Sequence, residues 1–158
     1  ATLRDAPCTV AVAPRGYAGA ADHSLRSVGV GYDESDEAQL ALDMGRALGR
    51  ALAADVQALE VVEATNWRTP ESGAGWKAVD AGQRLSSLAG VTGVVVEGDV
   101  HEHLCGFAHE VDVLVLGSHH HGVLSRLVLG DTAAGLTRHV PCVLLVMAHD
   151  LSPATTGA

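Results

Sequence analysis

Basic residues are scarce in this chain: 10 Lys and Arg stand against 19 Asp and Glu, a formal charge of −9, and Lys77 is the one lysine. So acidic a protein is not a general binder of phosphate backbones, whose affinity rests on a basic surface. Cysteines are few. Cys8, Cys105 and Cys142 form neither a CxxC pair nor a disulfide framework, which points to a reducing cytoplasm. No apolar run approaches the ~18 residues that a bilayer span requires, and the opening residues carry no signal-peptide pattern. Charged residues make up only 18% and hydrophobic residues 47%, which excludes a disordered tail. What remains, at 158 residues, is one globular domain with chain enough for a sizeable core without metals or disulfides.

The chain has no initiating Met and opens on Arg4-Asp5-Ala6-Pro7-Cys8-Thr9-Val10-Ala11-Val12. Near the other end stands Arg138-His139-Val140-Pro141-Cys142-Val143-Leu144-Leu145-Val146. Both share Arg-x-apolar-Pro-Cys before a short apolar strand, at an offset of 134 (Cys142 against Cys8). A repeat of about one domain's length suggests a tandem array. On that reading residues 1–13 are the last strand of a preceding copy, 14–25 a linker with Pro14, Gly16 and Gly19, 26–148 one complete copy, and 149–158 a flexible tail. The alternative is a chance match over nine positions.

The complete copy alternates strand and helix. Ser27–Tyr32 reads as a strand, Ser35 as an N-cap, and Asp36 and Glu37 as carboxylates placed where the helix dipole favours them. Ala38 cannot complete a capping box with Ser35, so Asp36 with Gln39 is the alternative pairing. Leu40, Met44, Ala47, Leu48, Ala51 and Leu52 fall at helical spacing and predict an amphipathic helix over 36–53. Strand Val56–Val62 follows, then a polar stretch over 63–75 expected to be poorly ordered. Next come a helix at Trp76–Leu88, a strand at Val91–Val96, a helix over 100–110 and the strongest strand, Val111–Leu116. A loop and a helix opening near Asp131 lead to the last strand, Cys142–Met147. Strands spaced by helices imply βαβ units and a mostly parallel sheet covered on both faces.

In such a sheet, ligands bind beyond the carboxyl ends of the strands, where strand order reverses. Two unusual segments lie at strand ends: Gly31-Tyr32-Asp33-Glu34-Ser35, and the run from Gly117 to Thr132. The second reads Gly117-Ser118-His119-His120-His121-Gly122-Val123-Leu124-Ser125-Arg126-Leu127-Val128-Leu129-Gly130-Asp131-Thr132. Gly-Ser closing a strand, then a loop, then Gly-Asp-Thr opening a helix, is the geometry of an anion cradle.

Tyr32-Asp33-x-Ser35, Asp112-Val-Leu-Val-Leu-Gly117-Ser118, Leu124-Ser-Arg-Leu-Val-Leu-Gly130 and Arg138-His-Val-Pro-Cys142 together resemble a universal stress protein domain over residues 26–148. Residues 3–16 resemble the tail of a preceding domain of the same kind. The resemblance implies a three-layer α/β/α sandwich on a mostly parallel five-stranded, Rossmann-like sheet, like that of adenine nucleotide alpha hydrolases, plus an extra N-terminal strand. It also implies a stress-response module that dimerises through its last strand. Residues 8–13 and 142–147 are therefore expected to pair, within one chain or exchanged between two, because an exposed edge templates association unless covered.

Members that bind ATP carry Gly-x2-Gly-x9-Gly-Ser/Thr, an Asp after the first strand and an apolar residue late in the second. Carried over, Asp33 matches the Asp and Val61 the apolar contact; Gly117 and Gly130 match the first and third glycines. His120 occupies the second glycine's place and Asp131 that of the Ser/Thr. The implied cofactor site is thus Gly31, Tyr32, Asp33, Val61, Leu116, Gly117, Ser118, His120, Gly130, Asp131 and Thr132, for ATP or another adenine nucleotide with Mg²⁺.

Both departures have consequences. A side chain at position 120 obstructs backbone approach to phosphate, although a protonated imidazole would pair with it. Asp131 sets a carboxylate beside phosphate oxygens, and two like charges about 4 Å apart repel by roughly 1 kcal/mol in water. An Mg²⁺ ion held by Asp131 would reverse that sign, and Thr132 would supply the hydroxyl one residue late. Adenosine or a monophosphate is easier to accommodate than a triphosphate. The alternative is a nucleotide-free interaction module with a degenerate phosphate motif.

The remaining candidates have plainer readings. His119, His120 and His121 are consecutive loop residues that point apart, so solvated histidines are favoured over a metal site. His101, Cys105 and His109 share a helix face that would suit zinc, yet Leu104, Cys105, Phe107, Ala108 and Val111 read as its buried side, which is the favoured reading. Cys142 reads as an inert strand residue. Asp33 either contacts ligand or caps its own turn. No Gly-x-Ser-x-Gly elbow, Walker motif or HExxH is present, so the chain does not read as an enzyme, with slow ATP hydrolysis left open.

Overall fold

The computed structural model describes residues 8–19, 24–62, 74–117 and 141–148. Its elements are β1 (Val10–Val12), β2 (Ser27–Gly31), α1 (Asp36–Leu52), β3 (Asp55–Val62), α2 (Ala74–Ser86), β4 (Thr92–Glu97), α3 (Val100–Phe107), β5 (Val113–Gly117) and β6 (Val143–Met147), with a 3₁₀ turn at Tyr17–Gly19. The strands form one sheet of order β1-β6-β5-β2-β3-β4. Five of them run parallel, and β1 lies antiparallel on β6. That is the expected sandwich sheet with its extra N-terminal strand. The helix expected near Asp131, most of the polar stretch (63–73) and the tail 149–158 lie outside the described residues.

Local chemistry explains where α1 begins and ends. Ser35 is its N-cap: Oγ accepts from Ala38 N at 3.1 Å while the Ser35 carbonyl accepts from Gln39 N at 2.9 Å. The alternative Asp36–Gln39 pairing is not used, because the Gln39 amide donates to Asp43 Oδ1 instead, 3.3 Å away. The helix stops at Ala53, a left-handed residue with φ 51°. Helix α2 starts two residues earlier than the sequence suggests, and α3 stops at Phe107, three residues short of expectation. Asp99 caps α3 by accepting from Glu102 N at 2.9 Å.

The face that α1 buries differs from the predicted one. The period is right and the phase is not: Ala38, Ala41, Leu42, Gly45 and Gly49 are buried, while Leu40 and Leu52 are exposed and Met44 and Leu48 only half-buried. Close approach is the cause. A Cβ on Gly45 would stand 2.5 Å from Val30 Cγ2, and one on Gly49 would collide with Val56 Cγ2. A helix pressed this closely onto a sheet needs its smallest residues at the contact, so size outranks hydrophobicity in choosing the face.

Alternation along the strands divides the core in two. Helices α1 and α2 cover one face, where Leu42 and Leu85 pack with Val28, Val30, Val113 and Val115. Helix α3 covers the other, where Leu104 and Phe107 pack with Leu114, Leu116, Leu144 and Val146. Cys142 is buried on that side, and burial pushes its thiol up to about 11, which removes the reactive thiolate at neutral pH. At the amino end of the sheet Asp112 ties β2 to β5. Its Oδ2 accepts from Arg26 N, Ser27 N and Ser27 Oγ at 2.8, 2.9 and 2.8 Å. Burial opposes that charge, but these bonds outweigh it and hold the carboxyl below its usual range.

Candidate functional site

The chain runs outward from β2 through β3 to β4, then returns across the sheet to β5 on the other side of β2. The strand order reverses between β2 and β5, and open α/β sheets take ligands beyond the carboxyl ends of the strands at such a switch point. Gly31, Tyr32 and Asp33 leave β2 there, Leu116 and Gly117 end β5, and Val61 stands near the end of β3 beside them. The fold therefore gathers six of the sequence-derived residues at one end of three adjacent strands. Ser118, His120, Gly130, Asp131 and Thr132 lie outside the described residues.

These six differ in what they can offer. Leu116 is fully buried in the α3-side core, so only its main chain is available. Val61 is half-buried against the same cluster. Tyr32 packs on the opposite face, with its N–H donating to the Leu59 carbonyl at 2.9 Å. Burial, then the carboxylates of Glu34 and Glu60, push its phenol above the usual range. Gly117 has a packing role: a Cβ there would meet the Cβ, C and O atoms of Glu37 at 2.8–2.9 Å. The first turn of α1 thus rests directly on the end of β5.

Asp33 caps its own turn. Its Oδ1 accepts from Ser35 Oγ at 2.5 Å and from Ser35 N at 3.2 Å. Among the described residues its second oxygen has no hydrogen bond, so the cap leaves one acceptor over. The next residue, Glu34, holds φ 64°, a left-handed conformation that costs a non-glycine residue about 1 kcal/mol.

What fastens Glu34 is a cluster that the sequence reading missed. Arg84 of α2 pairs with Glu34 Oε1 at 3.0 Å, with Glu60 Oε1 at 2.6 Å, and with Asp80. Glu60 is the buried member; its side chain is 10% exposed and, among the described residues, its Oε2 has no hydrogen-bond partner. Burial pushes its carboxyl above the usual range, and Arg84 only partly offsets this. A signal was present, for Glu60 interrupts the apolar run Ala58-Leu59-Glu60-Val61-Val62. One guanidinium among three carboxylates leaves this side of the site acidic.

On α3, the ring nitrogens of His101 lie 3.7 Å from Cys105 Sγ, while His109 is exposed beyond the helix end. Burial, then Asp99, push the Cys105 thiol above its usual range. Among the described residues no three His, Cys, Asp or Glu side chains gather as metal ligands. No helix among them is long and apolar enough to cross a membrane.

A mostly parallel sheet with helices on both faces and a switch point between β2 and β5 defines a Rossmann-like α/β domain. The chain belongs to the universal stress protein family, whose model matches residues 24–148. Three solved structures share the fold. UspA from Lactobacillus plantarum is 22% identical, with TM-score 0.59, covering 78% of this chain and 98% of its own. A universal stress protein solved in complex with cAMP is 20% identical, with TM-score 0.57, covering 80% and 99%. A universal stress protein from Archaeoglobus fulgidus is 16% identical, with TM-score 0.53; the match covers 78% of this chain and 45% of that one. A comparison with curated proteins finds no match.

Proposed function

We propose that this domain is a non-catalytic, cytoplasmic stress-response module that binds an adenine nucleotide at the carboxyl ends of β2, β3 and β5. The observation that carries this reading is the switch point between β2 and β5, where Asp33 and the first turn of α1 meet the strand ends. The described residues fit the nucleoside end of such a ligand. Asp33 Oδ2 is an acceptor for a ribose hydroxyl or an amine, and Val61 is an apolar wall. The acidic surroundings of Arg84 suit those donors and repel phosphate, which assigns the phosphates to Gly117 and the residues after it, through Ser118, His120, Gly130, Asp131 and Thr132. A bound Mg²⁺ would neutralise Asp131 against them. A family member solved with cAMP supports an adenine ligand.

For the assembly, this reading takes residues 1–13 as the last strand of a preceding copy, 14–25 as a linker and 26–148 as the complete domain, associating as a homodimer through 8–13 and 142–147. The 134-residue offset between the two Pro-Cys strands supports it, as does a relative of which this fold takes up 45%. The nucleotide half is tested by isothermal titration with ATP, AMP and adenosine, with and without Mg²⁺. Magnesium-dependent ATP binding that Asp131→Ala weakens is the expected result. No heat from any ligand, in protein whose unfolding is cooperative, would leave the interaction module in its place.

A further inference from the structure

Residues 32–35 carry the chain from β2 into α1, and three of the four are fixed by their neighbours. Tyr32 donates its N–H to the Leu59 carbonyl at 2.9 Å. Asp33 and Ser35 hold each other, since Asp33 Oδ1 accepts from Ser35 Oγ at 2.5 Å and from Ser35 N at 3.2 Å. Glu34, between them, has φ 64°, a conformation in which its Cβ crowds the backbone and which glycine alone takes readily. Among the described residues, Glu34 is fastened by its ion pair with Arg84 of α2, 3.0 Å from Nε to Oε1. Arg84 is itself held in place. Glu60 on β3 takes its Nη2 at 2.6 Å, and Asp80, one turn earlier on α2, takes its Nη1. One guanidinium thus joins α2 and β3 to the turn that leads into the α1 cap.

We infer that Arg84 is a positioning residue for the candidate ligand site, a strut from α2 that holds Glu34 left-handed and so sets where Asp33 stands at the end of β2. It acts on a ligand through Glu34 and Asp33. The ligand half of this inference rests on the nucleotide reading above, whereas the strut itself does not. Without the pair, the Glu34 backbone is drawn toward the ordinary right-handed and extended regions. Rotating it turns the Asp33 carboxylate away from Ser35 and from the first turn of α1. Glu34 is 54% exposed, so the pair is a minor part of global stability and its effect is local. An exposed pair of this kind shifts a local equilibrium by about two- to five-fold. Apparent ligand affinity falls with the fraction of the chain that keeps the competent turn.

The test follows native-state amide exchange in the full chain at Ser35 and Ala38, whose N–H groups donate to Asp33 Oδ1 and Ser35 Oγ. Leu114, buried in β5, reports global opening. Arg84→Met should speed exchange at Ser35 and Ala38 by about two- to five-fold beyond any change at Leu114. Glu34→Gln, which leaves Arg84 paired with Glu60 and Asp80, should do the same, and it decides the matter if Arg84→Met does not fold. In a Glu34→Gly background Arg84→Met should change neither amide, because glycine holds φ 64° unaided and gives the guanidinium nothing to grip. Equal acceleration in both backgrounds would overturn the inference, by reducing Arg84 to a general support of α2. So would unchanged exchange in Glu34→Gln. Adenosine titrated into the same chains reads the ligand half. Its affinity should fall by the same factor with Arg84→Met, and should not respond to that substitution in the Glu34→Gly background. Adenosine affinity that ignores a faster-exchanging turn would overturn the positioning role. Failure of the unsubstituted chain to bind adenosine counts against the nucleotide reading, and the exchange comparison still decides the strut.

Discussion

Replacing Arg84 by Met leaves Glu60 buried at the end of β3 without its cation. Deleting one partner of a buried ion pair costs about 3–5 kcal/mol. Here the cost is smaller, because Arg84 is 27% exposed and water enters the space it vacates. Its contacts with Glu34 and Asp80 add little, since those carboxylates are 54% and 67% exposed. The expected loss at neutral pH is about 2 kcal/mol. With a urea slope of about 2 kcal/mol/M the midpoint falls by about 1 M. The pH dependence separates this account from a simple packing defect. Burial already raises the Glu60 carboxyl, so its contribution to stability is fullest below the ordinary glutamate range and declines as pH rises through its native value. Without Arg84 the native value rises further and the decline deepens. Wild type and variant should therefore differ least near about pH 4 and increasingly toward neutrality. Urea titrations at a series of pH values measure this, and adding Glu60→Gln should recover at least half the loss, because an amide carries no charge to bury. A gap that narrows with rising pH, or a midpoint unmoved at pH 7, would refute the reasoning.

Two helix glycines should respond to alanine with opposite signs. Gly82→Ala meets nothing within 4 Å and should raise stability by about 0.5–1 kcal/mol from helix propensity, whereas Gly45→Ala drives a methyl to 2.5 Å from Val30 and should lower it by about 1–2 kcal/mol; thermal unfolding of both variants decides. Asp112→Ala should cost about 1–3 kcal/mol at neutral pH by orphaning the donors of Arg26 and Ser27. Because the Asp112 carboxyl is held low, its stabilisation is present above the ordinary aspartate range and lost as pH falls through its native value, so wild type and Asp112→Ala should converge in acid denaturation.

Short-range patterns in the sequence determined the order and type of the elements. The all-apolar run of β5, the Ser35 cap and the strand–helix alternation are local features, and local hydrogen bonding or periodicity is sufficient to express them. The family resemblance implied that residues 8–13 and 142–147 would pair, within one chain or between two, and within the chain Val10–Val12 pairs antiparallel with Leu144–Val146. From the same patterns came the location of the candidate site at the ends of β2 and β5, because alternating βα units leave few sheet topologies open. The tertiary structure alone decided which side of α1 turns inward. The sequence offers two overlapping stripes, and only contact with Val30 and Val56 selects the one containing Gly45 and Gly49. It decided that Asp33 spends one oxygen on Ser35, a matter of turn geometry, and that Gly117 serves the packing of α1. It also joined Glu60 to Arg84, 24 residues apart, across the α2–β3 contact. An ion pair between elements leaves no periodic trace in the chain, since its partners meet only after sheet and helix have docked.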